Sequence, residues 1–65
     1  MSETMLVSFN DKYRVLFIGR YAHDFDSHEE AAKVFKDLNK DLRKLTFTEV
    51  QNKYVGSILQ DLNPG

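Results

Sequence analysis

The hydrophobic pattern of this chain changes period once, close to Ser27. Before that point, residues 5–9 and 13–18 are rich in aromatic and β-branched side chains, which favour strands. After it, apolar residues recur at spacings of three and four, the period of an amphipathic helix. This order predicts an α+β fold: an N-terminal antiparallel meander of two or three strands, followed by two amphipathic helices.

Turn signals divide the first part of the chain. Residues 10–12 (Asn-Asp-Lys) have the chemistry of a tight turn, and so short a connection makes the neighbouring strands antiparallel. Gly19-Arg20 is either a second turn, which leaves residues 21–25 as a third strand, or a bulge within one long strand. Both alternatives stay open at this point, and both give a meander.

Capping boxes mark the start of both predicted helices. Ser27 with Glu30 forms the first, because a hydroxyl residue is followed three positions on by a glutamate. Thr46 with Glu49 forms the second in the same way. The second helix is expected to continue to the Asn-Pro-Gly end of the chain, although residues 44–50 also fit a short strand. The apolar stripe of the first helix consists of Ala31, Val34, Phe35, Leu38, Leu42 and Leu45.

Length and composition narrow the class of protein. The chain has 65 residues and a net charge of −1, which predicts one small domain over residues 1–65 with residues 1–4 and 63–65 frayed. It has no cysteine, which excludes disulfides, thiolate metal sites and thiol nucleophiles. No apolar run reaches the ~18–20 residues of a membrane span and no signal-peptide pattern is present, so we expect a cytoplasmic protein with no membrane partner.

One segment gathers groups that could ligate a metal or transfer protons. Residues 23–30 read His-Asp-Phe-Asp-Ser-His-Glu-Glu. A metal site needs several such groups converging on one point, whereas helix capping and the helix dipole account for the same residues without a metal. No nucleophile motif or phosphate-binding loop is present either. We therefore predict no catalytic residue, metal or cofactor, and a protein that is not an enzyme.

The strand that begins at Tyr13 is apolar on both of its faces. Leu16 and Ile18 lie between Arg14 and Arg20 on one face, and aromatic residues occupy the other. One interpretation is that the two helices cover opposite faces of the sheet, or that the strand is simply central in it. The other is that an apolar patch meets a protein partner or a second copy of the chain. In the second case Arg14, Leu16, Ile18 and Arg20 are the partner-binding residues, with the aliphatic pair as the anchor and the arginines at the rim.

The first helix sorts its charges by face. Its basic residues fall within about 100° of arc around the helix, and acidic residues fall on a neighbouring stripe. Such a face is typical of a solvated helix with pairs three and four residues apart, but positioned cations also bind phosphates. The alternative nucleic-acid-binding residues are therefore Arg14, Arg20, Lys33, Lys36, Lys40, Arg43 and Lys44.

Two segments together resemble a known family. Residues 13–21, Tyr-Arg-Val-Leu-Phe-Ile-Gly-Arg-Tyr, and residues 24–31, Asp-Phe-Asp-Ser-His-Glu-Glu-Ala, are similar to the sheet-plus-helix DNA-binding modules of phage and transposon integrases and of plant ethylene-response factors. The resemblance covers about half of the chain and implies strands followed by a packed helix. It also implies a sheet face that reads the major groove; Arg14 and Arg20 match that face, whereas Leu16 and Ile18 depart from it.

The sequence as a whole predicts a small protein that acts through its surface. We expect a non-enzymatic protein–protein interaction module, a regulator or inhibitor of a larger protein, by analogy with the small accessory proteins of phages. A homodimer is a further expectation, because so small a core gains from association. The alternative is a nucleic-acid-binding module that uses the sheet arginines and the basic helix face.

Overall fold

The computed structural model describes residues 3–62 and contains one four-stranded sheet with two helices. The elements in chain order are β1 (Thr4–Phe9), β2 (Lys12–Phe17), β3 (Tyr21–Phe25), α1 (His28–Lys44), α2 (Phe47–Tyr54) and β4 (Gln60–Asp61). The strands lie in the order β1-β2-β3-β4 and each neighbouring pair is antiparallel. The predicted α+β fold is confirmed, and the meander has three strands because Gly19-Arg20 belongs to a turn.

Two tight turns connect the first three strands. Asn10 and Asp11 both have positive φ, 48° and 63°, as the two-residue turn of a tight hairpin requires. Ile18 and Gly19 repeat this pattern with φ of 51° and 69°, and the Arg20 N–H donates to the Phe17 carbonyl at 3.2 Å. Glycine tolerates positive φ, but a β-branched residue there is strained by roughly 1–3 kcal/mol.

Side-chain caps start both helices where the sequence places them. The Ser27 hydroxyl accepts from the Glu29 N–H at 3.1 Å, one residue earlier than the capping-box geometry predicts for α1. In α2 the predicted box is complete: the Thr46 hydroxyl accepts from the Glu49 N–H at 3.2 Å, and the Glu49 carboxylate accepts from the Thr46 N–H at 3.0 Å. Residues 44–50 therefore hold the end of one helix and the start of the next, and no strand.

The prediction that the second helix continues to the end of the chain is wrong. It ends at Tyr54, since Val55 is extended and Gly56 takes a φ of 89°, which no helix continues through. The chain then returns to the sheet, where Leu59 is fully buried and β4 pairs with β3. The apolar residues after Tyr54 follow a helical period by coincidence. The Gly-Ser step at residues 56–57 indicates the end of the helix, but it lies within this periodic pattern.

Both helices pack on the same face of the sheet. The buried core combines strand residues with residues of α1, α2 and the segment before β4: Val15, Phe17, Tyr21, Ala31, Leu38, Val50, Tyr54 and Leu59. Aromatic rings join the layers, because Phe47 of α2 lies with its ring centroid 5.3 Å from that of Phe17. The side chain of Gln51 also donates to the Tyr21 hydroxyl at 3.2 Å. This arrangement settles which face the helices cover.

The expectation that residues 1–4 fray is wrong for Thr4. That residue opens β1, is 4% exposed, and its hydroxyl donates to the side chain of Asn39 in α1. The pairing of β1 with β2 accounts for this order, because Thr4 lies opposite Phe17 in the ladder. Residues 1–2 and the predicted frayed end 63–65 lie outside the described residues.

Relief of the strain at Ile18 is expected to stabilise the protein. Ile18→Asn and Ile18→Gly both remove the β-branched side chain from a left-handed position, so we expect the free energy of unfolding to rise by about 1 kcal/mol. Urea denaturation followed by circular dichroism measures this, with Val7→Asn in β1 as a control that relieves no strain. A fall in stability for both variants at Ile18 would show that its packing outweighs the strain.

Candidate functional site

The face of the sheet opposite the helices carries a row of apolar side chains. Alternation along the strands places Val15 and Phe17 in the core, so their neighbour Leu16 lies on the other side. The strand register then sets Met5 opposite Leu16, and Leu16 opposite Ala22. We call this surface the outer face; its residues are Met5, Val7, Phe9, Lys12, Arg14, Leu16, Ala22, Asp24 and Gln60.

The outer face is open to solvent over much of its apolar area. Met5 is 54% exposed and Phe9 is 37% exposed, whereas Val7 and Leu16 are half-buried. Leu62, which follows β4, is also exposed and borders a shallow cavity of about 200 Å³ that reaches Arg14. The described residues therefore leave a strip of hydrophobic side chains at the surface with no helix over it.

Both cations of the outer face are already paired within the chain. Arg14 donates from Nε and Nη2 to the two carboxylate oxygens of Asp24, at 2.6 and 3.1 Å, and its guanidinium stands 4.6 Å from the centre of the Phe9 ring. The hydrogen bonds from Arg14 hold the pKa of Asp24 below its ordinary value. Lys12 is paired with Asp26. The outer face is thus apolar and locally neutral.

The other two residues predicted to bind a partner lie in the turn between β2 and β3. Ile18 is exposed there, and Arg20 donates from Nε and Nη2 to the Asp61 carboxylate, at 3.0 Å for the closest contact. The structure thus places Arg14 and Leu16 together on the outer face and Ile18 with Arg20 at the end of the hairpin. A role of these four residues in partner binding stays a prediction.

Sequence reasoning overlooked the contribution of β1 to this surface. Met5, Val7 and Phe9 share the side of the sheet with Leu16, but their position depends on the register between β1 and β2. The alternation of residues 5–9 held part of the signal, because it separates these three from Leu6 and Ser8. The missing information was the side on which the helices pack.

The basic residues of α1 form a second candidate surface. The sequence has nine Lys and Arg residues, and four of them, Lys12, Arg14, Arg20 and Lys53, form ion pairs. The other five are exposed on α1 and form no ion pair with any residue between 3 and 62. We call them the basic stripe: Lys33, Lys36, Lys40, Arg43 and Lys44.

A groove of about 410 Å³ runs between α1 and the segment that follows α2. Asp41 lies in it and accepts hydrogen bonds from Lys53 Nζ at 2.8 Å and from the Tyr54 hydroxyl at 2.7 Å. These two hydrogen bonds lower the pKa of Asp41, and the bond from Lys53 has the larger effect. Burial raises the pKa of the Tyr54 hydroxyl, and its hydrogen bond to the Asp41 carboxylate raises that pKa further. The groove therefore holds a satisfied polar network that links α1 to α2.

The acidic and histidine side chains of residues 23–30 do not gather at one point; the following contacts keep them apart. Asp24 and Asp26 bind Arg14 and Lys12, as described above. His23 and His28 make edge contacts with the rings of Phe25 and Tyr13 respectively. Across residues 3–62, no three His, Asp or Glu side chains come together in a way that could hold a metal ion.

Comparison with protein-family models, with curated proteins and with solved structures finds no match to this chain. The resemblance to the DNA-binding modules of integrases and ethylene-response factors accordingly stays a prediction. Neither helix of the described part of the chain has the length and apolar character needed to cross a membrane. The candidate surfaces are therefore judged from their own geometry.

The network at Asp41 is expected to make stability depend on pH in the acid range. Because the pKa of Asp41 in the folded protein lies below the 3.8 of the unfolded chain, its carboxylate stabilises the fold above pH 3.8. That contribution is lost as the pH falls through the folded-state pKa. We expect Asp41→Asn to lower the free energy of unfolding near neutral pH. The difference between this variant and the natural chain should shrink as the pH falls and the Asp41 carboxylate becomes protonated.

Urea denaturation of the natural chain and of Asp41→Asn at about pH 7 and about pH 2.5 tests this. Asp37→Asn is the matched control, since Asp37 borders the same groove but forms no ion pair within the described residues. An equal loss of stability at both pH values would mean that Asp41 acts through packing and not through its charge.

Proposed function

We propose that this protein is a non-enzymatic protein-binding module that regulates or inhibits a larger protein through its outer face. The observation that carries the proposal is the strip of hydrophobic side chains on the sheet, which lies opposite both helices. An exposed apolar surface of this kind marks a place where a protein surface is covered in the functional state. Desolvation of Met5, Leu16 and Phe9 supplies the binding free energy.

The charges of the outer face define the chemistry of the partner. Because Asp24 neutralises Arg14 and Asp26 neutralises Lys12, the face offers little attraction to a polyanion such as nucleic acid. An apolar protein surface with few charges of its own fits it better. In this proposal Arg14 and Arg20 lie at the border of the contact, since their guanidinium groups already bind the carboxylates of Asp24 and Asp61.

The strained conformation of Ile18 also supports this function. A β-branched residue with a φ of 51° costs stability, and its side chain is 39% exposed. Glycine or asparagine would satisfy the turn at lower cost. An exposed isoleucine in such a position is explained by a contact outside the chain, so we include Ile18 among the binding residues.

Aspartate substitutions on the outer face are expected to abolish partner binding without unfolding the protein. Met5→Asp introduces a charge at the most exposed apolar residue of the face, and Leu16→Asp introduces one at its centre. Ile58→Asp is the matched control, because Ile58 is an exposed aliphatic residue beside the groove at α1. Tagged proteins are used to capture partners from native lysate with and without nuclease, and captured proteins are identified by mass spectrometry.

We expect one protein partner that survives nuclease, is captured by the natural chain and by Ile58→Asp, and is lost with Met5→Asp. Circular dichroism confirms that each variant is folded. If Leu16→Asp unfolds, Met5→Asp alone decides, since Met5 is more than half exposed. Capture that is equal for all three variants would reject the outer face as the binding surface.

A second candidate function rests on the basic stripe. Within residues 3–62, the four Lys and Arg side chains outside α1 all form ion pairs, whereas the five on α1 form none. Such a separation favours contact with the phosphates of a nucleic acid. The partners would then disappear with nuclease and bind more weakly as the salt concentration rises.

Charge reversal in the stripe tests this second candidate. Lys36→Glu and Lys40→Glu are each expected to weaken nucleic-acid binding equally for unrelated sequences and to reduce the slope of log affinity against log salt by about 1. Lys12→Glu changes the charge by the same amount on the opposite side of the molecule and is the control. Fluorescence anisotropy with labelled oligonucleotides measures the affinities, and equal effects of all three substitutions would exclude a specific role of the stripe.

A further inference from the structure

The strand β1 forms one edge of the sheet and pairs with a neighbour on one side only. The Ile18 N–H donates to the Glu3 carbonyl at 2.7 Å, which fixes the phase of the β1–β2 ladder. In that phase the backbone groups of Met5, Val7 and Phe9 face β2, and those of Leu6 and Ser8 face outward. No backbone hydrogen bond from another described residue reaches Leu6 or Ser8 on that side.

The strand β1 has none of the features that prevent an edge strand from pairing with another chain. The sequence of β1, Thr-Met-Leu-Val-Ser-Phe, has no charged residue, proline or glycine, and its register with β2 is continuous, without a bulge. Natural proteins protect a strand edge with such features because an open edge pairs with any suitable strand. The opposite edge, β4, is only two residues long. The edge of β1 can therefore accept a further strand.

We propose that two copies of this chain associate by antiparallel pairing of their β1 strands, with the twofold axis at Val7. Leu6 of each copy then pairs with Ser8 of the other, and each such pair exchanges both of its backbone hydrogen bonds. Val7 lies opposite the second Val7, and Met5 lies opposite Phe9 of the other copy. The two four-stranded sheets become one, and the two outer faces become continuous.

The apolar side chains on the outer side of β1 favour this register and this occupant. A shift in one direction sets Glu3 opposite Phe9, and a shift in the other sets Met5 opposite Asp11, so either shift places a carboxylate against an apolar side chain. The register centred on Val7 pairs every apolar outer side chain of β1 with another apolar side chain. A second copy meets this condition at both ends of the strand at once, because the twofold axis repeats each contact. The same axis sets Glu3 opposite Asp11 at each end, and these like charges weaken the dimer.

The size of the contact sets the strength of the dimer. One pair of six-residue strands buries less than the ~800 Å² per partner of a standard stable interface. We therefore expect a dimer that forms at high protein concentration and dissociates on dilution. The inference does not depend on the proposed partner, since its test contains no other protein.

Sedimentation equilibrium from low micromolar to near-millimolar concentration tests the dimer, with two double variants at the same two positions. Met5→Glu with Phe9→Glu sets like charges opposite each other across the interface, and we expect a dissociation constant at least about tenfold higher. Met5→Lys with Phe9→Glu sets opposite charges there, and we expect the dimer to persist. Circular dichroism verifies that both double variants are folded.

The pair of variants separates strand pairing from other modes of association. A dimer formed by stacking two outer faces would be lost in both double variants, because each buries two charges, and that result would overturn the proposal. A natural chain that stays monomeric over the whole range would overturn it as well. Hydrogen exchange gives an independent readout: the amides of Leu6 and Ser8 should become protected as concentration rises, whereas the Val7 amide, bonded to β2, should be protected throughout. Exchange at Leu6 and Ser8 that is independent of concentration would contradict pairing through this edge.

Discussion

The alternation of side chains along β2 determines the arrangement of everything else. Val15 and Phe17 are completely buried, and this requires both helices to lie on their side of the sheet. Leu16, between them, must then face away from the helices. Residues 3–62 form no third layer that covers that side. The same alternation therefore builds the core and leaves the outer face open.

Local chemistry was enough to predict the elements that depend on it. The change of hydrophobic period gave the strands and α1, and the Thr46–Glu49 box gave the start of α2 with both of its hydrogen bonds. The end of α2 was missed because Val55 and Leu59 keep a helical spacing, whereas Gly56 stops the helix. β4 was missed because two residues carry no period, and their pairing with β3 depends on contacts distant in sequence.

The candidate site was predictable only in part, since it depends on register and on layer order. Leu16 and Arg14 follow from β2 alone, but Met5 and Phe9 join them only once β1 is aligned with β2. Pairing between strands also places Asp24 opposite Arg14 in the ladder, where the two side chains form an ion pair. Sequence patterns report which residues share a face of one strand, and not which residues of the next strand lie beside them.

The late return of the chain to the sheet has a consequence for the order of folding. The first three strands form two successive hairpins, so their contacts close short loops and can form quickly. The pairing of Tyr21 with Asp61, and the Arg20–Asp61 ion pair across 41 positions of sequence, must instead wait for both helices to dock. Because its ladder with β3 consists of two residue pairs within the described residues, β4 should be the last element to assemble and the first to detach in a partial opening of the native state. The free edge of β3 that such an opening uncovers would give the molecule a transient second edge for strand addition, short-lived and on the opposite side from β1.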